Sequence, residues 1–183
     1  MALHWANDPV GQIIQSARAL QPDGLFQAVC LGGQTLNELR ICLAQAESEV
    51  TGGLSPRIAP MGEIRDLGAL LQRAGLALPV ADNITVLTSY KDAFHLMHDL
   101  RNFGETNALN ARLRHPTKRA IFDRCAEIYA KTFAEDGKII ATFEFLFLSG
   151  WAPSADQPKP LRPGSATSRL ADALKTTEKP LRD

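Results

Sequence analysis

Several groups of residues in this 183-residue chain carry side chains suited to chemistry. His95, His98 and Asp99 stand at i, i+3 and i+4, which puts them on one helical face in a spacing that can hold a metal ion. No third ligand is apparent, and catalytic zinc helices use histidines at i and i+4. The group therefore reads as solvated or as a helix cap. Gly32-Gly33 ends an apolar run, and Thr35, Glu38 and Arg40 follow it. Ligands in open α/β sheets bind beyond the carboxyl ends of strands, so Gly33, Thr35, Glu38 and Arg40 are candidates for a substrate pocket. Thr35-Leu36-Asn37-Glu38 also has the form of a capping box, which gives Glu38 a structural task. His4 and Trp5 set two rings just before a helix start. Arg57, Asp66, Glu105 and Asn107 read by default as surface ion pairs or loop hydrogen bonds, worth about 0–1 kcal/mol each. No Ser/His/Asp or Cys/His nucleophile arrangement stands out. Cys30 sits in an apolar run and reads as core.

These residues need a scaffold, and composition bounds it. The length suits one domain. Hydrophobic content of 45% and charged content of 22% are ordinary for a globular chain. The formal net charge is zero, so no bulk field favours nucleic acid. No run of about 18 apolar residues is present, so no membrane-inserting helix is expected. No basic stretch followed by an apolar one opens the chain. Cys30, Cys42 and Cys125 are odd in number and form no CxxC pair. Reduced thiols in a cytoplasmic protein are the simplest expectation.

The elements follow from punctuation and periodicity. Asn7-Asp8-Pro9 is a helix start, with Val10, Ile13, Ile14, Ala17 and Leu20 at helical spacing. Pro22-Asp23-Gly24 turns the chain into an apolar run, Leu25 to Leu31, expected as a buried strand. A helix through Leu36, Leu39, Leu43, Ala46 and Val50 comes next. After a Gly/Pro loop from Thr51 to Gly62, a helix runs from Ile64 to Ala74 and closes at Gly75. Ile84, Val86, Thr88 and Tyr90 alternate as a strand. Two helices follow, one from about Tyr90 to Phe103 burying Met97, Leu100 and Phe103, the other from Pro116 through Ile121, Cys125, Ile128, Tyr129 and Phe133. Asp136-Gly137 is a turn into IIATFEFLFLSGW, residues 139–151. That run is apolar at both parities, so it is expected inside a sheet and covered on both sides. Beyond Trp151 the prolines predict a flexible tail, 152–183, with one helical turn at 168–175. Residues 1–151 read as the folded part, with a helical insertion at about 91–134. Strands separated by helices make this an α/β sheet.

Against this background, LHW, then ND, a helix and LQPDGLF resemble the second half of a class I S-adenosylmethionine-dependent methyltransferase. In that Rossmann-like fold an antiparallel seventh strand slots between the fifth and sixth, which suits IIATFEFLFLSGW. A narrower resemblance rests on five segments in order: GGQTLNELR, GGLSPRIAPMGEIRDLGALLQRAG, DLRNFGETNA, DGKIIATFEFLFLSGW and RPGSAT. They are similar to the methyltransferase-like assembly factors of respiratory complex I and their alphaproteobacterial relatives. That family is in turn similar to malonyl-acyl-carrier-protein methyltransferases of biotin synthesis.

The resemblance has one large departure. Members begin with a strand, a G-x-G turn and an acid that grips the cofactor ribose. No G-x-G occurs in this sequence. The resemblance therefore implies that the N-terminal cofactor-binding strands are missing and that the chain is the C-terminal, substrate-side part. S-adenosylmethionine is the cofactor of the full-length family, and this chain alone is expected to bind none tightly. His4 and Trp5 would lie at the end of the fourth strand and contribute to the cofactor site. A protein substrate or assembly partner is implied. The alternative is a non-catalytic binding module, or a homo-oligomer, covering an exposed sheet edge.

Overall fold

The computed structural model describes residues 3–158, 162, 164–165 and 167–177. A turn of 3-10 helix, Leu3–Trp5, leads into α1 (Pro9–Ala19), β1 (Leu25–Leu31), α2 (Asn37–Thr51) and α3 (Ile64–Arg73). Then come β2 (Ala77–Tyr90), α4 (Ala93–Asn102), α5 (Arg119–Thr132), the short β3 (Ala134–Glu135) and β4 (Lys138–Trp151). The chain divides into a unit ending at Pro153 and a second beginning at Ser154. The second unit carries α6 (Leu170–Leu174), within the span where a helical turn is expected. The RPGSAT segment falls partly outside the described residues.

The sheet has the order β1-β4-β2, with β3 paired to the start of β4. Both β1 and β2 run antiparallel to β4, and so parallel to each other. The strand apolar at both parities thus lies between the two others, as expected. Asp136 and Gly137 both take positive φ, 49° and 74°, and pair Glu135 with Lys138 across a two-residue turn. A right-twisted hairpin selects such turns.

Local chemistry accounts for most boundaries. Asp8 accepts a hydrogen bond from Gly11 N at 2.8 Å and Pro9 opens α1. Asp92 caps α4 by accepting from His95 N at 2.9 Å. Gly52 and Gly75 close helices at φ 73° and 78°, where a side chain would be strained. Strand β2 starts at Ala77, seven residues before the expected Ile84. Pro79 argues against an interior strand, but β2 is an edge and its register shifts between Ala77 and Val80, which accommodates the missing N–H.

Two apolar clusters hold the sheet. One joins α2, α4 and α5 to Ile139 and Ala141 at the start of β4. The other packs Ile13 of α1 and Leu67 and Leu71 of α3 on Cys30, Leu146 and Leu148. Each fully buried leucine or isoleucine there contributes about 1.5–3 kcal/mol. Three expectations fail here. Phe103 is 68% exposed, because α4 ends before it and turns Ala93, Leu96 and Leu100 inward instead. β1 is buried only at Cys30 and Leu31. β4 is inside the sheet but is not covered along its whole length, since Phe147 and Trp151 remain over a third exposed.

The capping box is a further correction. Leu36 precedes α2 in a left-handed conformation, φ 55°, and no side chain caps the helix. Both expected capping side chains are drawn to β4. The Thr35 hydroxyl donates to Glu144 O and accepts from Glu144 N, each at 3.1 Å. The Glu38 carboxylate accepts from Thr142 N at 3.1 Å and from the Thr142 hydroxyl. The first turn of α2 is itself buried, and there the backbone groups of β4 take both side chains.

Candidate functional site

A cleft of about 880 Å³ opens beside the first turn of the chain. Its floor is apolar: Leu36 just before α2, Leu39 and Leu43 of α2, Leu100 of α4, and Ile58 and Met61 from the loop after α2. Its rim comes from His4 and Trp5 on one side and from the loop after α4, Glu105–Ala111, on the other. A concave, mostly apolar site with a few polar groups is the usual form of a ligand pocket.

The rim is fixed by long-range polar contacts. His4 Nε2 meets Glu105 Oε1 at 3.1 Å, and Trp5 Nε1 donates to the same oxygen at 3.4 Å. A carboxylate only accepts, so Nε2 carries the shared proton. His4 Nδ1 is buried without a partner among the described residues. Asn107 Nδ2 donates to Pro56 O at 2.9 Å and ties the two loops together. Arg57 also lines the cleft, but its guanidinium is spent. Nε and Nη2 hold the Glu47 carboxylate at 3.0 and 2.6 Å, and Nη1 donates to Thr117 Oγ1 at 3.0 Å. Ser55 adds its N–H and hydroxyl to Glu47. Burial opposes ionisation of Glu47, yet the bonds from Arg57 and Ser55 outweigh it and hold the carboxyl at about 2. Arg57 is therefore a half-buried clamp and not the surface pair expected from its loop position.

Of the sequence-derived candidates, His4 and Trp5 meet at the cleft, together with Arg57, Glu105 and Asn107. Gly33, Thr35, Glu38 and Arg40 are not among its lining residues. α2 turns its leucines to the cleft and its Glu38 to β4. Gly33 N donates to Gly62 O at 3.1 Å, and Arg40 Nη2 is buried without a partner among the described residues. The preceding Gly32 is needed for a close approach, because a Cβ there would run into the Glu144 carboxylate. That carboxylate accepts from Gln34 N at 3.0 Å and from Asn83 Nδ2 at 2.9 Å, joining the β1 end and β2 to β4.

The remaining candidates resolve simply. His95 Nδ1 lies 2.9 Å from the Asp92 oxygen that caps α4, and His98 Nδ1 lies 3.2 Å from Asn102 Nδ2. No metal-holding group of three or more His, Cys, Asp or Glu occurs among the described residues. All three cysteines are buried and free. Burial raises each thiol, Cys42 to about 11 and Cys125 to about 12, which suits core residues and not nucleophiles. No described helix is long and apolar enough to cross a membrane.

No family model matches the chain. It is 39% identical over 177 residues to the arginine-hydroxylase NDUFAF5, mitochondrial, of Danio rerio, covering 96% of this chain and 54% of that protein. The Homo sapiens protein of the same name is 38% identical over 170 residues, covering 91% and 48%. A malonyl-[acyl-carrier protein] O-methyltransferase of Methylovorus sp. strain MP688 is 33% identical over 155 residues, covering 85% and 50%. The chain is homologous to both groups. It spans about half the length of these curated relatives. The resemblance read from five short segments thus extends over nearly the whole chain.

Sequence reasoning missed the roles of several residues. Glu144 sits in an apolar strand, where a lone carboxylate signals a buried partner. Glu47 carries no local mark, since its partner Arg57 comes from a loop ten residues on. The meeting of His4 with Glu105 spans 101 residues, beyond the reach of any spacing rule.

Proposed function

We propose that this chain is the C-terminal, substrate-side portion of a methyltransferase-like protein of the complex I assembly-factor kind. One observation carries the reading: homology runs along 96% of this chain but over only 54% of the relative. The sheet order supports it, because the antiparallel strand lies between two parallel ones. The cleft beside His4 and Trp5 would be the substrate side of the site, and a partner protein its substrate.

S-adenosylmethionine, the cofactor of such methyltransferases, rests on a glycine turn and a ribose-binding acid. The residues here do not fit that cradle by themselves. No glycine lines the cleft, and Arg57 is already paired with Glu47. The cofactor would therefore bind chiefly to strands outside this chain, with His4 and Trp5 closing the far wall. Calorimetry on the purified chain should show no micromolar binding of S-adenosylmethionine. Micromolar binding by the chain alone would sink the proposal. Whether the whole protein hydroxylates or methylates follows its relatives, whose names carry both activities.

A second reading rests on the open part of the sheet. Trp151, Phe147, Leu25, Val80, Ile84 and Val86 are all substantially exposed. Their pairings place them on one face. An exposed patch of this kind marks an interaction surface, which a binding module or a second copy would use. A concentration-independent monomer in sedimentation, binding no apolar dye, would count against it. Three buried free thiols suit a reducing compartment such as the cytoplasm.

A further inference from the structure

The two homologous groups carry names with substrates of opposite charge, an arginine in one and a malonyl thioester in the other. The cleft's own charged groups discriminate between them. Three side chains there can carry charge: His4, Arg57 and Glu105. Arg57 has every guanidinium nitrogen committed, two to Glu47 and one to Thr117. A carboxylate ligand would find no free guanidinium among the described lining residues. Glu105 is the converse case. Both of its side-chain donors, His4 and Trp5, bind Oε1. Oε2 has no hydrogen bond among the described residues and remains available to a new donor. Beside it the Trp5 ring is 41% exposed.

A carboxylate next to an open indole is the pairing that recognises a planar cation. A guanidinium stacks on the ring and donates to the oxygen at once. Leu36, Leu39 and Leu100 supply an apolar floor that suits the aliphatic stem of a long basic side chain. We propose that Trp5 and Glu105 form a cation-recognition corner, which takes the guanidinium of an arginine presented by a protein substrate. This rests on the reading of the cleft as the substrate side. His4 acts as a positioning residue, holding Glu105 through Oε1 and leaving Oε2 without a hydrogen bond among the described residues.

The test uses the whole chain and three probes: acetyl-Gly-Arg-Gly-amide, the same peptide with citrulline, and malonyl-pantetheine. Citrulline keeps the shape of arginine and loses its charge. The readout is the indole N–H signal in nuclear magnetic resonance, with Trp151 on the open sheet face as an internal control. The arginine peptide should shift Trp5 and leave Trp151 still. The citrulline peptide should bind about tenfold more weakly, the scale of one charged hydrogen bond. Glu105→Gln keeps an oxygen for His4 and Trp5 but removes the charge, and should erase that tenfold difference. Should that variant fail to fold, Trp5→Leu serves, read by calorimetry with the same peptides, and should abolish the preference for arginine. Equal binding of the arginine and citrulline peptides, or preferential binding of malonyl-pantetheine at Trp5, overturns the cation corner while the cleft remains a substrate site. If no probe moves any cleft residue, the reading of the cleft falls as well.

Discussion

The two faces of β4 make an instructive contrast. On one, Leu146 and Leu148 lie under α1 and α3 and are almost wholly buried. On the other, Ile139 and Ala141 are buried under α2, α4 and α5, but Phe147 and Trp151 further along are 39% and 37% exposed. The same strand supplies equally apolar side chains to both. What differs is whether a helix follows in this chain to cover them. Hydrophobic patterning states which surfaces are suited to burial, and the covering must be provided by a partner element.

Substitutions across that contrast should separate the regions. Leu146→Ala removes a side chain with no exposure and should cost about 4 kcal/mol in chemical denaturation, within the range for cavity-forming core changes. A loss below about 1 kcal/mol would mean the α1–α3 side is loosely packed. Next in size is the cleft wall. Arg57→Met strands the Glu47 carboxylate, and should cost about 3 kcal/mol. The pH profile gives the sign independently. The folded-state carboxyl of Glu47 is depressed from 4.5 to about 2, so its contribution is complete above about 4.5 and is lost as the pH falls towards 2. Arg57→Met should flatten that acid-side fall in melting temperature, and an unchanged profile would show that the pair does not set it.

Smaller effects sharpen the comparison. Thr35→Val removes both bonds to the Glu144 backbone, while Glu144 O keeps its bond from Gly32 N, and should cost about 1–3 kcal/mol. If it costs nothing, the loop between β1 and α2 is held by its backbone contacts alone. Phe147→Ser should change stability by no more than about 0.5 kcal/mol while reducing apolar-dye binding. A core-sized loss there would reveal that the open face is covered in solution, and its dependence on protein concentration would tell a second copy from an internal rearrangement.

The sequence reached far in some places and stopped short in others, for physical reasons. Periodicity and breakers located α1 and α3 closely, because Asp8-Pro9 and Gly75 act within a few residues of the boundary they set, whereas α5 begins at Arg119, three residues after the expected Pro116. The double-parity apolar run also placed β4 between β1 and β2, since only an interior strand combines that pattern with flanking helices. The same local rules misjudged Thr35 and Glu38. As a capping box both should have served their own helix end. In the fold a strand more than 100 residues away offers buried partners, and these win because a buried polar group left unsatisfied carries its full desolvation cost. Phe103 failed for a similar reason: helical spacing extends past Asn102 on paper, but the helix stops there.

Candidate site residues divide along the same line. His4, Trp5, Arg57, Glu105 and Asn107 were visible as residues of the right type, and five ordered segments pointed to the homologous groups. Residue type and short-range spacing determined which side chains were suited to chemistry, which segments became helices, and which strand had to be central. Tertiary structure alone decided that Glu105 meets His4 and Trp5, that Arg57 is consumed by Glu47, and that one half of a sheet face stays open. Those outcomes depend on pairings across ten to a hundred residues, where the deciding energies are desolvation and geometry and not local propensity.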